Sequence, residues 1–262
     1  MIKIISILTI IFLGSIVSFD SAGQTSVQSI LPGGGDKWKL VWSDEFDQPD
    51  SLLDQKWESQ NGPSGHILCS RWRENAVVSN GTLNLINRKE NRGGQDWTSG
   101  NIWTREQFQY GYFECRYKYA AAEGTNNSFW LMMKGITPTE GKLFEIDINE
   151  GHYPNSVNTN IHNWSDVTEV NGKKTHSSAS KGFHFENLDF AKEYHTYGLE
   201  WSKDELVFYF DGKEIRREKN EFCYSPAPVW LSLAILPWAG KITDAIDGTK
   251  MEVDYVRIYK QK

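Results

Sequence analysis

The chain is poor in cysteine, with Cys69, Cys115 and Cys223 the only three in 262 residues. An odd, sparse set excludes a disulfide framework, and its spacing matches no zinc site. One bridge stays open, and nothing selects the pair. Basic residues are not in excess either. Lys and Arg number 28 against 34 Asp and Glu, a net charge of −6 with no basic cluster. That balance argues against nucleic acid or an anionic membrane as a partner. It leaves a heavily sulfated polymer only through a local basic patch. Long apolar runs are absent except for MIKIISILTIIFLGSIVSF at the N-terminus. With Lys3 in front, the run is too short and too terminal for a comfortable membrane span. It reads as a secretory signal peptide over residues 1–22, for a secreted or periplasmic protein with no membrane span after cleavage. An uncleaved anchor is the alternative. No Cys comes directly after the run, which disfavours a lipoprotein. Residues 23–36 are rich in Gly and Ser and read as a flexible lead-in. No linker, charge run or internal repeat interrupts residues 37–262, so they are expected to form one domain, and a monomer.

Aromatic residues are abundant: eleven Trp, eleven Tyr and thirteen Phe. Most suit the core of a β-sandwich. A few lie in segments rich in Asn, Gly and Ser, as expected of a groove in which flat apolar faces stack on sugar rings. The rest of the pattern is short β-rich segments between turn signals, such as WKLVWSDEF (38–46), GYFECRYKYA (111–120), VNTNIHNW (157–164) and VWLSLAILPW (229–238). Asn-Gly in SNGT (79–82) and Asp-Gly in FDGK (210–213) supply the positive φ that tight hairpins need. Helical periodicity is scarce, and ENLDFAKEYHTY (186–197) is the best candidate for a helix. The expected fold class is all-β: two stacked, curved antiparallel sheets with a concave cleft.

FEIDINEGH (144–152) holds the chemistry. Its alternation puts Glu145 and Asp147 on one face, about 7 Å apart. Both are poor strand formers, and no Lys or Arg relieves their repulsion, which raises each other's pKa. A strand that accepts this marks a site rather than a solvated face. Glycoside hydrolysis uses two carboxylates, one to protonate the leaving oxygen and one to attack or to activate water. Calcium would need a cage, and a flat strand offers only a row. An aspartic-protease dyad would need two separate strand–turn motifs, which are absent. Glu150 breaks the parity: counting by twos turns it to the opposite face. A β-bulge near Ile148–Asn149 would bring it back, Asn149 being tolerant of unusual backbone angles.

EIDINE resembles the E-I-D-x-x-E signature of glycoside hydrolase family 16, which includes laminarinases, agarases, porphyranases and carrageenases. LVWSDEFDQPDSLLDQKW (40–57), SGNIWTREQFQYGYFECRYKYA (99–120), SFWLM (128–132), HTYGLEWSKDELVFYFDG (195–212) and MEVDYVRIYK (251–260) keep the family's order, so the resemblance spans residues 38–260. It implies a β-jelly-roll sandwich and endo-acting, retaining cleavage of a β-linked polysaccharide, with no cofactor for catalysis. Glu145 falls at the nucleophile, Glu150 at the acid/base, and Asp147 at the residue that tunes the nucleophile. The spacing resembles the bulged branch rather than the lichenases or the plant xyloglucan-modifying relatives. Trp130 matches the family's cleft-floor tryptophan. Trp103, His162, Trp164 and Trp238 are further substrate-binding candidates, and Arg71 and Arg73 are basic residues that would suit sugar hydroxyls or sulfates. A structural Ca2+ far from the cleft would fall on Glu45 and Gly81, mostly through backbone carbonyls, and on Asp254. The laminarinases' W-P-A segment before the cleft-floor Trp is missing, and EGTNNSFW (123–130) is closer to the agarase, porphyranase and carrageenase pattern. The expected substrate is an algal-type galactan, with a β-1,3-glucan second. A transglycosylase and a non-catalytic carbohydrate-binding jelly roll are the other readings.

Overall fold

Alternating segments become strands here because two sheets can bury their apolar faces against each other. A computed structural model describes residues 17–19, 25–133, 135–170 and 173–262. One antiparallel sheet of eight strands runs, edge to edge, Lys213–Lys219, Glu205–Phe210, His195–Trp201, Gly111–Lys118, Lys250–Gln261, Thr82–Ile86 and Ala76–Ser79, with Trp38–Asp44 also paired onto Lys250–Gln261. The second, of seven strands, runs Lys173–His184, Ser156–Val170, Phe144–His152, Thr125–Met132, Val229–Ile235, Asn101–Thr104 and Trp57–Ser59. Phe113, Cys115, Tyr117, Leu199 and Val256 of the first pack in one core with Phe129, Leu131, Ile146, Ile161 and Leu231 of the second. The all-β sandwich is as the sequence leads one to expect. Both hairpin turns form, with φ of 55° at Asn80, 74° at Gly81, 47° at Asp211 and 71° at Gly212.

Two expectations are revised, and one open question is answered. The helix over ENLDFAKEYHTY does not form; the segment is a run of turns leading into the strand His195–Trp201. It drops Phe190 into the core against Tyr119, His195 and Phe210. Burying that ring outweighs the weak propensity of one short helix. Among the described residues the single α-helix is Leu53–Lys56. The lead-in is not simply flexible. From Val27 on it is a strap across the eight-stranded sheet: Arg257 Nη1 donates to Val27 O at 2.7 Å, Tyr259 Oη to Ser29 Oγ at 2.8 Å, and Trp38 Nε1 to Pro32 O at 2.8 Å. The three cysteines are buried and unpaired, so the bridge left open by the sequence is not made. The expected leader lies outside the described residues apart from Val17–Phe19, which pairs with Thr25–Val27. No helix among the described residues is long and apolar enough to cross a membrane.

One long hairpin, Ser156–Val170 with Lys173–His184, forms the edge of the seven-stranded sheet beside the acidic strand. Arg216 of the other sheet pins it. Buried itself, it donates to Thr159 O (3.0 Å), Thr159 Oγ1 (2.9 Å) and Ala179 O (2.9 Å), one residue on each arm.

Candidate active site

Phe144–His152 runs between Thr125–Met132 and Ser156–Val170. Glu145 pairs with Met132 and His162, Asp147 with Trp130 and Asn160, and Glu150 with Ser128 and Asn158. The ladder steps over one residue. Phe129 pairs with Asn149, and Trp130 with Asp147, leaving Ile148 unpaired. Ile148 packs in the core, and Asn149 is fully buried beside it, its Nδ2 donating to the hydroxyls of Tyr117 (2.6 Å) and Tyr119 (2.8 Å). Two successive residues thus face the core, and Glu150 returns to the face of Glu145 and Asp147. The bulge expected near Ile148–Asn149 is present. Position 151 is glycine because a Cβ there would sit 2.2 Å from the Tyr119 ring.

Each carboxyl has its own support. Trp164 Nε1 donates to Glu145 Oε2 at 2.9 Å, His162 Nε2 lies 3.1 Å from Asp147 Oδ2, and Asn126 Nδ2 donates to Glu150 Oε1 at 2.9 Å. Asn158 Nδ2 holds the Glu150 backbone carbonyl at 2.8 Å. The Glu145 side chain keeps 16% of its surface exposed and Asp147 only 3%, so the tuning carboxyl is the deeper of the two. Burial, and next the charge of Asp147, pushes Glu145 up to about 8. Burial, and next the charge of Glu150, pushes Asp147 up too, against a hydrogen bond with Glu145. Both shifts favour the protonated form, so the two carboxyls titrate as a pair.

Beside Asp147 the same face carries a row of indoles. Trp130, Trp230 and Trp103 are register partners on three adjacent strands, with ring centroids 4.8 and 4.5 Å apart. Trp103 Nε1 also donates to Glu58 Oε2 at 3.1 Å. The structure thus brings Trp130, Trp103, His162 and Trp164 to the carboxylate face. Trp238 is 64% exposed on the turn Pro237–Ala239, which comes after the strand Val229–Ile235 that carries Trp230. Arg73 is committed to Asp50 and Asp54, and Arg71 is buried with Nη1 on Gly100 O at 2.9 Å.

Three contributors escape the sequence reading: Trp230, Asn126 and His176, which lies 2.7 Å from His162. Parity along VWLSLAILPW places Trp230 with Ser232, and Asn126 lies in EGTNNSFW, but neither pattern says which strand lies alongside.

One donor atom from each of Glu145, Asp147 and His162 lies within 4.8 Å of the others. In the structure Asp147 Oδ2 lies against His162 Nε2 and Glu145 Oε2 accepts from Trp164 Nε1, so the trio is tied into a hydrogen-bond network. The calcium expectation rests mostly on the main-chain oxygens of Glu45 and Gly81, which side-chain contacts leave untouched. Both carboxylate oxygens of Glu45 lie on Arg257, at 2.9 and 2.7 Å, and Asp254 pairs with Arg116. Gly81, in its hairpin turn, has only main-chain oxygen to offer.

A β-sandwich with three carboxylates and a tryptophan row on one open face has the constitution of a glycoside hydrolase. The chain belongs to glycosyl hydrolases family 16, whose sequence model matches residues 66–257. It is 29% identical to the kappa-carrageenase of Pseudoalteromonas carrageenovora, over 89% of this chain and 68% of that protein. It is 28% identical to a beta-glucanase of Acetivibrio thermocellus, over 78% of this chain and 59% of that protein. It is also 28% identical to the glucan endo-1,3-beta-glucosidase A1 of Niallia circulans, over 85% of this chain and 38% of that protein. The chain thus spans only part of the last two. Among solved structures, the endo-beta-1,3-glucanase from Pyrococcus furiosus superposes with a TM-score of 0.75 at 25% identity, over 87% of this chain and 96% of that one. SCLam, a non-specific endo-beta-1,3(4)-glucanase, superposes with 0.71 at 30% identity, over 88% and 94%.

Proposed function

We propose that the chain is an exported, endo-acting, retaining hydrolase of a β-linked polysaccharide, with Glu145 as nucleophile, Glu150 as acid/base and Asp147 as the residue that carries the shared proton. The observation behind this is the bulge that sets all three carboxyls on one face, with a separate donor on each glutamate. Asp147 is deeper than Glu145, and Trp164 Nε1–H favours an anion on Glu145, so the proton belongs on Asp147 and Glu145 is free to attack. Glu145 bonds to the anomeric carbon as the glycosidic bond breaks, and the proton of Glu150 passes to the leaving oxygen. Water then attacks the same carbon, Glu150 takes its proton, and Glu145 departs. Trp130 and Trp103, the partly open members of the indole row, offer flat apolar faces to a sugar chain lying across the strands.

The substrate we infer is an algal-type galactan. It is supported by the missing W-P-A segment and by the kappa-carrageenase relative. A β-1,3-glucan is the second reading, supported by the glucanases among relatives and solved structures. Export is supported by the apolar N-terminal run. The test is digestion of laminarin, agar, porphyran, carrageenans and furcellaran, with product sizing and NMR of the first-formed anomer. Mid-sized products appearing first as the β-anomer support the reading. An initial α-anomer overturns the retaining mechanism, as does a Glu145→Ser variant that cleaves normally. Binding without cleavage across the panel favours a carbohydrate-binding jelly roll.

A further inference from the structure

His176 stands on Lys173–His184, the edge strand of the seven-stranded sheet. Ser178 pairs with His162, so His176, two residues earlier, shares the face of His162. His176 Nε2 lies 2.7 Å from His162 Nδ1. Its ring also stacks on Trp164, with centroids 3.6 Å apart and planes at 28°. His162 in turn faces Asp147, and Trp164 donates to Glu145. His176 therefore touches both residues that support the carboxyl pair.

Proton counting gives this contact a direction. A ring nitrogen of a neutral imidazole either carries a hydrogen or accepts one. Across 2.7 Å, one of His176 Nε2 and His162 Nδ1 donates and the other accepts. If His162 is to present N–H to Asp147 Oδ2, its proton sits on Nε2 and its Nδ1 accepts. His176 must then donate from Nε2. Every donor in the chain now points toward Glu145: His176 to His162, His162 to Asp147, Asp147 to Glu145, with Trp164 arriving from the side. Such chains polarise one another and strengthen the last bond. Burial holds His176 below the usual imidazole range, in keeping with a neutral ring. The titratable groups facing it across the adjoining strands are His162, Asp147 and Glu145.

We propose that His176 is a positioning residue: its Nε2–H locks His162 in the tautomer that donates to Asp147, and its ring holds the Trp164 indole against Glu145. This rests on the reading of Glu145 as nucleophile, so the test has an arm that does not need activity. In protein labelled with 15N-histidine, long-range proton–nitrogen correlation spectra report the tautomer of each ring. The wild type is expected to show His162 as a single Nε2–H tautomer, and His176→Ala a mixture or the Nδ1–H form. Using the polysaccharide from the panel that the wild type cleaves, His176→Ala is expected to lower kcat on the order of 10–100-fold, the scale of loss when the partner orienting a metal-bound imidazole is removed. KM should change much less, and melting temperature little. His176→Gln, which keeps a side-chain N–H, should recover part of kcat, and His176→Phe, which keeps only the stack, should recover less. An unchanged His162 tautomer in His176→Ala overturns the proposal whatever happens to the rate, as does an unchanged kcat. A wild type that shows the expected tautomer shift on mutation yet cleaves nothing overturns the catalytic reading and leaves the positioning role standing.

Discussion

Ile148 and Asn149 are adjacent in the chain and face the same side of the sheet, one packed among apolar core residues and the other bonded to Tyr117 and Tyr119. That one break in alternation is what puts Glu150 beside Asp147. Replacing Asn149 with Ala removes its Nδ2 donor from two tyrosine hydroxyls, which keep their acceptors, Asn127 O for Tyr117 and Ser156 O for Tyr119. The expected loss is about 1–3 kcal/mol of stability, read by urea unfolding. Activity should fall further than stability explains, because the strand is free to regularise and turn Glu150 inward.

Register offers a sharper contrast. Deleting Ile148 leaves Glu145, Asp147 and Glu150 on alternate positions of a regular strand, all on one face. Inserting one Ala after Asn149 sends Glu150 to the core side. The deletion is expected to keep measurable cleavage and the insertion none, with folding of each checked by circular dichroism. Equal activity in the two would refute the parity account.

The shared proton has a signature in stability. Glu145 is held at about 8 in the folded chain, above the ordinary 4.5, and Asp147 is raised as well. Between those limits the folded chain binds more protons than the unfolded one, so stability falls as pH rises from 4.5 to about 8. Asp147→Asn removes one buried charge and should flatten that fall, so its melting temperature gains most over the wild type near pH 8 while its kcat drops. A parallel pair of melting curves across this window would count against the proton-sharing pair.

The three indoles should not be equivalent. Trp230 is 1% exposed and sits between the rings of Trp130 and Trp103. Trp230→Ala is expected to cost about 3–5 kcal/mol of stability. Trp130 is partly open to solvent, so Trp130→Ala should raise KM several-fold with a smaller change in stability. Thermal melts and initial rates on both variants separate the two roles.

Much of the site was legible in FEIDINEGH. Acidic residues are costly on a strand, so three of them close together point to chemistry. The clash between their spacing and the period of two pointed to the bulge. Alternation and turn residues likewise declared the two-sheet sandwich, since both are local properties of a few adjacent residues. The helix suggested by ENLDFAKEYHTY fails for the converse reason. Its propensity is local, but the burial of Phe190 that overrides it is not.

By itself, then, the amino-acid order determined which residues have chemistry to offer: the three carboxyls, Trp130, and the residue whose backbone must give way. Tertiary structure decided their neighbours. It laid His176 against His162 and Trp164, slid Trp230 between Trp130 and Trp103, and set Asn126 on Glu150. It left Trp238 in solvent and gave Glu45 and Asp254 to arginines. The physical reason is that a side chain's face is set by its parity along its own strand, whereas its partners depend on which strands lie alongside. That order is set by burial of the shared core, through pairings distant in sequence.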